Sequence, residues 1–261
     1  MEAPFRYHEF DPAPPLARHV TSYWAFRAQG EAPLPHRIWP DGCISLVWVL
    51  PLAARPYALV TGAHLRAHDV MVEPGTAYWG ARFWPDAGGA MCGVAAPELR
   101  DVTVPAPLAL RAGLDHLAAA GPDTPEERAA AALDAMLLPL ARAARPLDDA
   151  VRRAVLAIVA ARGDAPIPAV AAGIGLGERQ LQRRFREAVG LTPKQFARIR
   201  RVREAAAGVL AESARGWAAV AADLGYADQS HLIHEFSQLT GLTPVAFEDR
   251  LRRIEHGRVA P

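Results

Sequence analysis

The chain of 261 residues is long enough for two domains, and its composition, 51% apolar and 22% charged, is ordinary for a soluble globular protein. Its two cysteines exclude a disulfide framework, and no apolar run approaches the roughly 20 residues that a membrane span requires. The N-terminus lacks the apolar stretch of a signal peptide, so we expect a cytoplasmic protein.

The net charge of +1 conceals two halves of opposite sign. Residues 1–150 contain 12 basic and 17 acidic side chains, a net charge of −5, whereas residues 151–261 contain 17 basic and 11 acidic side chains, a net charge of +6. Such an asymmetry is typical of a basic module that binds a polyanion, attached to a module with another task.

Residues 1–105 are predicted to form a β-rich sensor domain. Residues 43–50 are β-branched and aromatic and are bounded by proline and glycine, which indicates a buried strand. Shorter strands are predicted at residues 57–61, 70–73 and 77–83. Proline and glycine separate these segments at short intervals, as in a small barrel or sandwich.

Five of the six tryptophans lie in this part of the chain. Tryptophan side chains could line a pocket for a flat or cationic small molecule, and Arg82 could pair with an anionic group of a ligand. The candidate ligand-binding residues are Trp39, Trp48, Trp79, Arg82 and His36. Two alternatives remain open, namely core packing of the tryptophans and an ion pair of Arg82 with Asp41 or Asp86.

Residues 106–146 change to a helical period and are predicted to be a helical linker or packing segment. Thr124 and Pro125 are a candidate cap and first position of a helix. Its apolar stripe consists of Ala129, Leu133, Met136, Leu137 and Leu140. This stripe could pack on the chain's own sensor domain or on a second subunit, so a homodimer is one candidate assembly.

Residues 147–261 are predicted to be entirely helical. The helices are expected near residues 147–161, 167–172, 178–189, 193–211, 216–224, 229–239 and 244–253. Gly163, Gly190, Gly225 and Gly241 fall at turn or C-cap positions, and Asp228 is an N-cap candidate.

This part of the chain contains the same helical unit twice, as unit 1 from Ala169 and unit 2 from Ala219. Each copy begins with Ala-Val-Ala-Ala and continues through a glycine and a phenylalanine to Gly-Leu-Thr-Pro. The offset is 50 residues up to the turn glycine and 51 residues afterwards. The pattern of helix, glycine-containing turn and helix predicts two helix-turn-helix units, whose second helices can enter the major groove of DNA.

The second helix of unit 1 has an apolar and a basic face. The apolar positions expected to face inward are Val170, Ile174, Leu181, Phe185 and Val189. Arg179, Gln182, Arg183 and Arg186 share the other face at i, i+3, i+4 and i+7. Because arginine pairs with guanine edges and glutamine with adenine edges, we predict that these four residues contact DNA. The alternative is an arginine-rich face in contact with solvent.

Unit 2 has the same apolar pattern and a less basic outer face. Its inward positions are Val220, Leu224, Leu232 and Phe236. The candidate DNA contacts are Gln229, Ser230, His231 and His234, for which we expect weaker, more sequence-tolerant contact. His231 and His234, with Glu235 adjacent, match neither helical zinc-protease pattern, so no metal site is predicted.

A helix predicted at Pro193–Ala211 joins the two units and would be roughly 28 Å long. That length is comparable with the pitch of B-DNA, so the two reading helices could occupy successive major-groove segments. The helix starts at Pro193 and Pro244 could also contact phosphates through backbone N–H groups. Simple helix capping is the alternative, and both can hold at once.

Residues 150–255 resemble the AraC-type family of bacterial transcription regulators. The stretches that carry the resemblance are residues 175–186, residues 224–232 with Phe236, and Gly241-Leu242-Thr243-Pro244 with Phe247. The resemblance implies two helix-turn-helix subdomains joined by a long helix, behind an N-terminal sensing or dimerising domain. It also implies base contacts by Arg179, Gln182 and Arg183 in unit 1, and by Ser230, His231 and His234 in unit 2.

The N-terminal part is similar to a less common sensor domain found in some of these regulators. The similarity rests on residues 40–47, 80–83 and 99–101. Together with the C-terminal resemblance, it implies an α+β protein with an N-terminal sensor domain (1–105), a helical linker (106–146) and a DNA-binding domain (147–261).

We therefore expect a sequence-specific DNA-binding transcription regulator controlled by a small molecule. The expected partners are double-stranded DNA and an effector, with RNA polymerase as a further candidate. No catalytic residue, cofactor or metal is predicted, so we do not expect an enzyme.

Two other functions fit parts of the sequence. One is a DNA-alkylation repair or sensor protein with Cys43 or Cys92 as the acceptor, although neither cysteine has an adjacent basic residue to lower its pKa. The other is a ligand-binding protein whose helical half mediates assembly, which the arginine-dense face of unit 1 opposes.

Overall fold

The computed structural model of the protein describes residues 5–28, 31–52, 54–107, 110, 126–211, 216–251 and 254–256. The predicted helix start at Thr124 and Pro125 lies outside these residues, as does Arg253 at the predicted end of the last helix.

The N-terminal part is built on strands. They are β1 (Phe5–Phe10), β2 (Val20–Ala28), β3 (Leu34–Ile38), β4 (Ser45–Leu50), β5 (Tyr57–Thr61), β6 (His68–Val72), β7 (Ala77–Phe83) and β8 (Thr103–Pro105). The predictions at residues 57–61 and 77–83 are confirmed in full. The strand predicted at residues 43–50 begins two residues later, and the strand predicted at residues 70–73 begins two residues earlier and ends one residue earlier. The sequence analysis missed β1, β2, β3 and β8, because polar residues interrupt their apolar pattern.

Seven strands form one sheet in the order β8-β5-β4-β7-β2-β1-β9, and β3 pairs with β6 in a separate antiparallel ribbon. The last strand, β9 (Ile254–His256), pairs in parallel with β1. The prediction that residues 147–261 are entirely helical is therefore wrong at this point, because the chain returns to complete the N-terminal sheet. The sheet is open, with β8 and β9 at its edges, and does not close into a barrel.

The two faces of the sheet pack against different layers. Along β7, Trp79, Ala81 and Phe83 point to one face, and Tyr78 and Arg82 point to the other. The first face is covered by the short helices η1 (Pro14–Leu16), α1 (Gly88–Cys92) and η2 (Ala96–Leu99), and by the longer α2 (Glu126–Ala143).

Helix α2 packs on the chain's own sheet. Leu133 and Leu137 are fully buried in the core beneath it. Asp134 accepts hydrogen bonds from the Tyr23 hydroxyl at 2.8 Å and from the backbone N–H of Ala13 at 3.0 Å. The sequence left open whether the apolar stripe of α2 packs on the chain's own sensor domain or on a second subunit. In the structure it packs on the chain's own sheet.

The C-terminal part contains seven helices among the described residues. They are α3 (Asp149–Ala160), α4 (Ile167–Gly173), α5 (Glu178–Val189), α6 (Pro193–Ala211), α7 (Trp217–Asp223), α8 (Gln229–Thr240) and α9 (Pro244–Leu251). Unit 1 consists of α4 and α5, and unit 2 of α7 and α8. The predicted bounds of α5 and α6 are confirmed at both ends, and the α+β class is confirmed.

One hydrophobic core joins the two parts of the chain. Phe185, Phe196 and Phe236 from the helices are fully buried together with Phe26 and Val72 from the strands. The second face of the sheet and the β3–β6 ribbon therefore rest directly on the helix-turn-helix units.

Candidate nucleic-acid interface

Helix α5 is the second helix of unit 1, and its two faces differ in exposure. Leu181, Phe185 and Val189 are fully buried. The four candidate DNA contacts lie on the opposite face, with Gln182 half-buried and the other three exposed; they are Arg179, Gln182, Arg183 and Arg186. The structure thus brings these four residues together, and their contact with DNA stays a prediction.

An ion pair anchors α5 to the start of α3. Asp148 caps α3 by accepting hydrogen bonds from the backbone N–H groups of Ala150 at 3.0 Å and Val151 at 3.2 Å. It also binds the Arg184 guanidinium through hydrogen bonds of 2.7 and 2.5 Å. Burial acts to raise the pKa of Asp148, but these donors outweigh burial and lower the pKa below its usual value.

Helix α8 is the second helix of unit 2. Leu232 and Phe236 are fully buried, and the four candidate DNA contacts are all exposed; they are Gln229, Ser230, His231 and His234. The predicted N-cap is confirmed, because the His231 N–H donates to Asp228 Oδ1 at 2.7 Å. The structure therefore gives each unit one exposed reading face of the predicted composition.

A buried carboxylate, Glu235, anchors α8 to the long helix α6. Arg198 Nε donates to Glu235 Oε1 at 2.6 Å, and the Tyr226 hydroxyl donates to Glu235 Oε2 at 2.7 Å. Burial and the hydrogen bond to Glu235 raise the pKa of Tyr226 above its usual value. This role of Glu235 could not be predicted from the sequence, because an isolated glutamate on a helix gives no signal of a partner on another helix.

The anchor extends to the reading face of unit 2. Arg198 also donates to Gln238 Oε1 at 3.2 Å, and Gln238 Nε2 lies 2.7 Å from His234 Nε2. The orientation of His234 is thereby tied to the orientation of α6.

The starts of α6 and α9 are capped by side chains. At α6 the Thr192 N–H donates to Gln195 Oε1 at 2.9 Å, and the Gln195 N–H donates to Thr192 Oγ1 at 3.2 Å. At α9 the Ala246 N–H donates to Thr243 Oγ1 at 3.4 Å. Side chains therefore cap both helix starts by accepting hydrogen bonds from the Gln195 and Ala246 N–H groups, and phosphate contact by the remaining N–H groups of these turns stays a prediction.

The five candidate ligand-binding residues do not form one cluster. Trp48 and Trp79 are paired across β4 and β7 and are buried on the face covered by α2. On the other side of the sheet, His36 packs on Phe26 with ring centroids 4.4 Å apart. Burial lowers the pKa of His36 to about 4. The two tryptophans are thus separated from His36, and likewise from Trp39 and Arg82.

Arg82 is the centre of a polar network on the second face of the sheet. Its Nε donates to Asp41 Oδ2 at 3.0 Å, and its guanidinium also donates to Glu9 Oε1 at 2.8 Å and to the Tyr7 hydroxyl at 3.2 Å. The ion pair with Asp41 was one of the alternatives for this residue. Two carboxylates already compensate the guanidinium charge, which disfavours a further anion.

Both cysteines are unsuited to nucleophilic chemistry. Burial raises the pKa of the Cys43 thiol and of the Cys92 thiol to about 12. At neutral pH both side chains are protonated, and the protonated thiol is a poor nucleophile.

The N-terminal part touches unit 1 at the end of its reading helix. Gly190 follows α5 with φ +82°, and a Cβ atom there would lie 2.6 Å from the carbonyl oxygen of Ala96 in η2. Arg152 of α3 pairs with buried Asp86 at 2.9 Å, close to the same end of the sheet. Unit 1 therefore rests on the backbone of the N-terminal part.

The ribbon of β3 and β6 touches unit 2. The Ala67 N–H donates to the Leu239 carbonyl oxygen at 2.7 Å, and the Trp39 ring packs on Phe247 with centroids 4.7 Å apart. Arg250 donates to the carbonyl oxygen of Pro35 at 3.3 Å. The N-terminal part thus contacts both units, each through a different element.

A third contact reaches the helix between the units. Gly42, with φ +74°, lies so close to Phe196 of α6 that a Cβ atom would be 2.7 Å from the ring. The turn that carries Asp41, a partner of Arg82, is therefore packed on the helix that joins unit 1 to unit 2.

Within the described residues, no group of three or more histidine, cysteine, aspartate or glutamate side chains is placed to hold a metal ion. The helices in the same part of the chain include none with the length and apolarity to cross a membrane.

Two family models match the chain. Residues 170–250 match a model described as a helix-turn-helix domain, and residues 8–105 match a model described as a domain of unknown function, DUF6597. No curated protein matches the sequence.

Several solved structures are similar to the chain. A transcriptional regulator with an AraC-type DNA-binding domain from Chromobacterium violaceum is 21% identical with a TM-score of 0.36, over 40% of this chain and 92% of that one. ToxT from Vibrio cholerae is 8% identical with a TM-score of 0.45, over 83% and 97% of the two chains. ToxT with a bound unsaturated fatty acid is 8% identical with a TM-score of 0.42, over 85% and 96%. At such low identities and TM-scores these structures carry no inference about this chain.

Proposed function

We propose that the chain is an AraC-type DNA-binding transcription regulator that recognises a specific DNA sequence through units 1 and 2 under the control of a small molecule. The match of residues 170–250 to a helix-turn-helix family model supports DNA binding. The N-terminal part (residues 1–105) would be the sensor, residues 106–146 the connection and residues 147–261 the DNA-binding domain. Double-stranded DNA is the partner, with RNA polymerase and a second copy of the chain as further candidates.

The exposed face of α5 is the observation that carries this proposal. Arg179, Arg183 and Arg186 are exposed, and among the described residues no carboxylate lies within ion-pair distance of them. An arginine face that is not neutralised by the protein itself is suited to phosphates and guanine edges. A helix face that served only assembly would place these charges against a partner's surface at a desolvation cost.

The test of sequence recognition is the substitution Arg183→Ala. If Arg183 contacts a base, its loss costs about 1–3 kcal/mol of binding free energy and relaxes the preference at one base pair. The measurement is selection of bound fragments from genomic DNA at near-physiological salt, followed by titration of the enriched sequence and its single-base variants.

Arg153→Ala is a matched control, because Arg153 is an exposed arginine on α3 that lines a shallow surface depression with Arg18 and Asp149 and belongs to neither reading face. If Arg183→Ala lowered the affinity equally for all sequences, Arg183 would be a phosphate contact and not a base contact. Binding of the wild-type protein to all fragments alike would contradict sequence-specific recognition.

Control by a small molecule is supported by the direct contacts between the N-terminal part and both units. A ligand that prefers one arrangement of η2, the β3–β6 ribbon and the turn at Asp41 would shift how units 1 and 2 are held. The second face of the sheet, with His36, Trp39 and Arg82, is the candidate region, because it lies towards the helices. Genes beside the enriched fragments would indicate compounds to test, and an effector should change the affinity of the full chain for its site.

The other two functions are less well supported. An alkyl acceptor requires a reactive thiol, whereas the pKa of both cysteines is raised to about 12. The stripe on α2 is used by the chain's own sheet, so this stripe is unavailable as an assembly surface. We propose no catalytic activity.

A further inference from the structure

His234 is one of two histidines on the reading face of unit 2, and only one edge of its ring is occupied. Its Nε2 atom lies 2.7 Å from the side-chain nitrogen of Gln238, one helical turn further along α8. No described residue forms a hydrogen bond with its Nδ1 atom, and the side chain is exposed. Nδ1 is therefore the ring nitrogen left for a partner outside the chain, and its protonation decides what it can bind.

The side-chain amide of Gln238 has a defined orientation. Arg198 Nη2 donates to Gln238 Oε1 at 3.2 Å. A guanidinium group has five N–H donors and no acceptor, so the amide must turn its oxygen towards Arg198. The amide nitrogen of Gln238 then faces His234, as the 2.7 Å contact shows.

The buried carboxylate of Glu235 holds Arg198 in place for this contact. Arg198 Nε donates to one carboxylate oxygen at 2.6 Å, and the Tyr226 hydroxyl donates to the other at 2.7 Å. The Glu235 side chain is only 8% exposed. Because both carboxylate oxygens are bound, the carboxylate fixes the direction of the guanidinium group and keeps Nη2 directed at Gln238.

This series of hydrogen bonds determines where the His234 ring carries its proton. The amide nitrogen of Gln238 can only donate, so His234 Nε2 must accept with its lone pair. An imidazolium ion has an N–H on both nitrogens and cannot accept. The ring is therefore neutral with its single proton on Nδ1, and the unoccupied edge of His234 is a hydrogen-bond donor.

We propose that Arg198 and Gln238 are positioning residues that make His234 a donor to a base edge, so that helix α6 sets the base preference of unit 2. This inference rests on the proposed DNA-binding function. In the major groove guanine presents two acceptors, whereas cytosine presents only an N–H donor. His234 should therefore select guanine and discriminate against cytosine.

The first measurement is the protonation of His234 in the DNA-free full chain. Two-bond proton–nitrogen correlation spectra distinguish the two neutral tautomers at about pH 8, where an unperturbed imidazole is neutral, and His234→Ala identifies the His234 signals. Wild type should carry the proton on Nδ1. In Gln238→Glu the new carboxylate can only accept, so Nε2 should become protonated. His231 is the control, because its ring packs on Tyr226 with centroids 5.3 Å apart, and its signals should not change.

Arg198 is tested by a conservative replacement, because alanine would leave the buried carboxylate of Glu235 without its cation. Arg198→Lys keeps a positive charge beside Glu235 but has one nitrogen in place of three, so the Gln238 amide is free to turn. His234 should then populate both neutral tautomers. A wild-type tautomer retained in Arg198→Lys would overturn the role of Arg198.

The second measurement is the base preference of the full chain on the selected site. The base pair that His234 contacts is the one at which His234→Ala abolishes the preference. At that pair wild type should prefer guanine over cytosine by about 2- to 12-fold, the size of one neutral hydrogen bond. Gln238→Met removes the donor to Nε2 but keeps an unbranched side chain, and it should reduce this preference. In the His234→Ala background Gln238→Met should have no further effect.

The outcomes separate this inference from the function on which it rests. A wild-type protein that binds all DNA sequences alike contradicts the proposed function, whereas the tautomer of His234 is measured without DNA. A proton on Nε2 in wild type overturns this inference alone. So does a preference for cytosine at the pair that His234 contacts, or the absence of any base pair that responds to His234→Ala.

A direct contact of Gln238 with DNA would also overturn its positioning role. In that case Gln238→Met would lower the affinity by the same factor in the wild-type and His234→Ala backgrounds. Thermal unfolding of Gln238→Met should match wild type, since the Gln238 side chain is exposed. Any change in base preference then reports on the His234 ring and not on the stability of unit 2.

Discussion

Units 1 and 2 share a sequence pattern, but opposite ion pairs hold their reading helices. Positions 148 and 198 are related by the 50-residue offset, and positions 184 and 235 by the 51-residue offset. In unit 1 the supporting residue is Asp148 and the reading helix carries Arg184. In unit 2 the supporting residue is Arg198 and the reading helix carries Glu235.

This reversal specifies which helix supports which reading helix. If α5 packed on α6 as α8 does, Arg184 would face Arg198, and α8 packed on α3 would bring Glu235 to Asp148. Like charges in such a partly buried contact are unfavourable. Packing of α5 on α6, or of α8 on α3, is therefore disfavoured. A repeat of identical units would not have this discrimination.

The reading faces differ as well. With the 51-residue offset, Arg179, Arg183 and Arg186 correspond to Ser230, His234 and Ser237. Unit 1 therefore offers three permanent positive charges where unit 2 offers two hydroxyls and an imidazole. We expect unit 1 to supply most of the affinity and unit 2 to act mainly through its position.

The largest expected effect tests whether unit 1 supplies most of the DNA affinity. Replacing Arg179, Arg183 and Arg186 together with alanine should lower DNA affinity by at least about 3 kcal/mol, which exceeds 100-fold, because each contact is worth about 1–3 kcal/mol. The repeat-related triple, Ser230→Ala with His234→Ala and Ser237→Ala, should cost less. Fluorescence anisotropy on the selected site measures both, and equal losses would contradict the division.

The next prediction compares the contacts of the two units with the N-terminal part. Gly190→Ala and Gly241→Ala both place a side chain at positive φ, which costs roughly 1–2 kcal/mol. At Gly190 the new Cβ meets the carbonyl oxygen of Ala96 at 2.6 Å, whereas at Gly241 it meets the flexible end of Arg37 at 3.0 Å. Gly190→Ala should therefore lose about 1–3 kcal/mol more of the free energy of unfolding, measured with urea. Equal losses of the free energy of unfolding in the two variants would show that the backbone of η2 moves away from a new Cβ atom as readily as the Arg37 side chain does.

A third comparison concerns the two anchors. Glu235→Ala leaves the buried Tyr226 hydroxyl without an acceptor and should cost about 1–3 kcal/mol of the free energy of unfolding. Arg184→Ala should cost about 1 kcal/mol or less, because the Arg184 side chain is 32% exposed while that of Glu235 is 8% exposed. If Arg184→Ala lost more of the free energy of unfolding than Glu235→Ala in the same denaturation experiment, the ion pair of unit 1 would be the more stabilising of the two.

The smallest expected effect is a pH dependence of the contact between the β3–β6 ribbon and unit 2. Burial lowers the pKa of His36 from its usual 6.5 to about 4, and Arg250 of α9 acts in the same direction while Asp69 opposes it. Burial also lowers the pKa of His64 and His68, whose rings are stacked 3.9 Å apart beside the ribbon. Because these folded-state pKa values are lowered, the contribution of the neutral imidazoles to stability is complete above pH 6.5 and is lost as the pH falls. For His36 the loss extends to about pH 4.

Acid should therefore loosen the ribbon from unit 2. The backbone contact of Ala96 with Gly190 at the end of α5 involves no titratable side chain, so we expect a smaller response there. Amide hydrogen exchange at pH 7.5 and pH 5.5, corrected for intrinsic rates, should show faster opening at residues 239–250 than at residues 189–192. His36→Gln should reduce this difference. A uniform response of both segments would contradict the assignment to the ribbon.

The sequence by itself determined the features that depend on neighbours along the chain. The repeat, the bounds of α5 and α6, the cap at Asp228, and the opposite faces of Leu181 and Arg183 all follow from helical periodicity and local capping chemistry. The strands β5 and β7 were likewise predictable, because they are rich in apolar and aromatic residues and are bounded by turn residues.

Only the tertiary structure decided which distant groups meet. The partner of Arg82 depends on β7 lying beside β2 and β4, and the partners of Arg184 and Glu235 depend on helix packing. Trp79 and Arg82 were predicted for one pocket, yet their odd separation in β7 places them on opposite faces. The return of β9 to the sheet is a contact over more than 200 residues. Local patterns specify elements and their faces, whereas pairing between elements is set by packing of the whole chain, so ion pairs and the contacts of the sensor with both units required the three-dimensional structure.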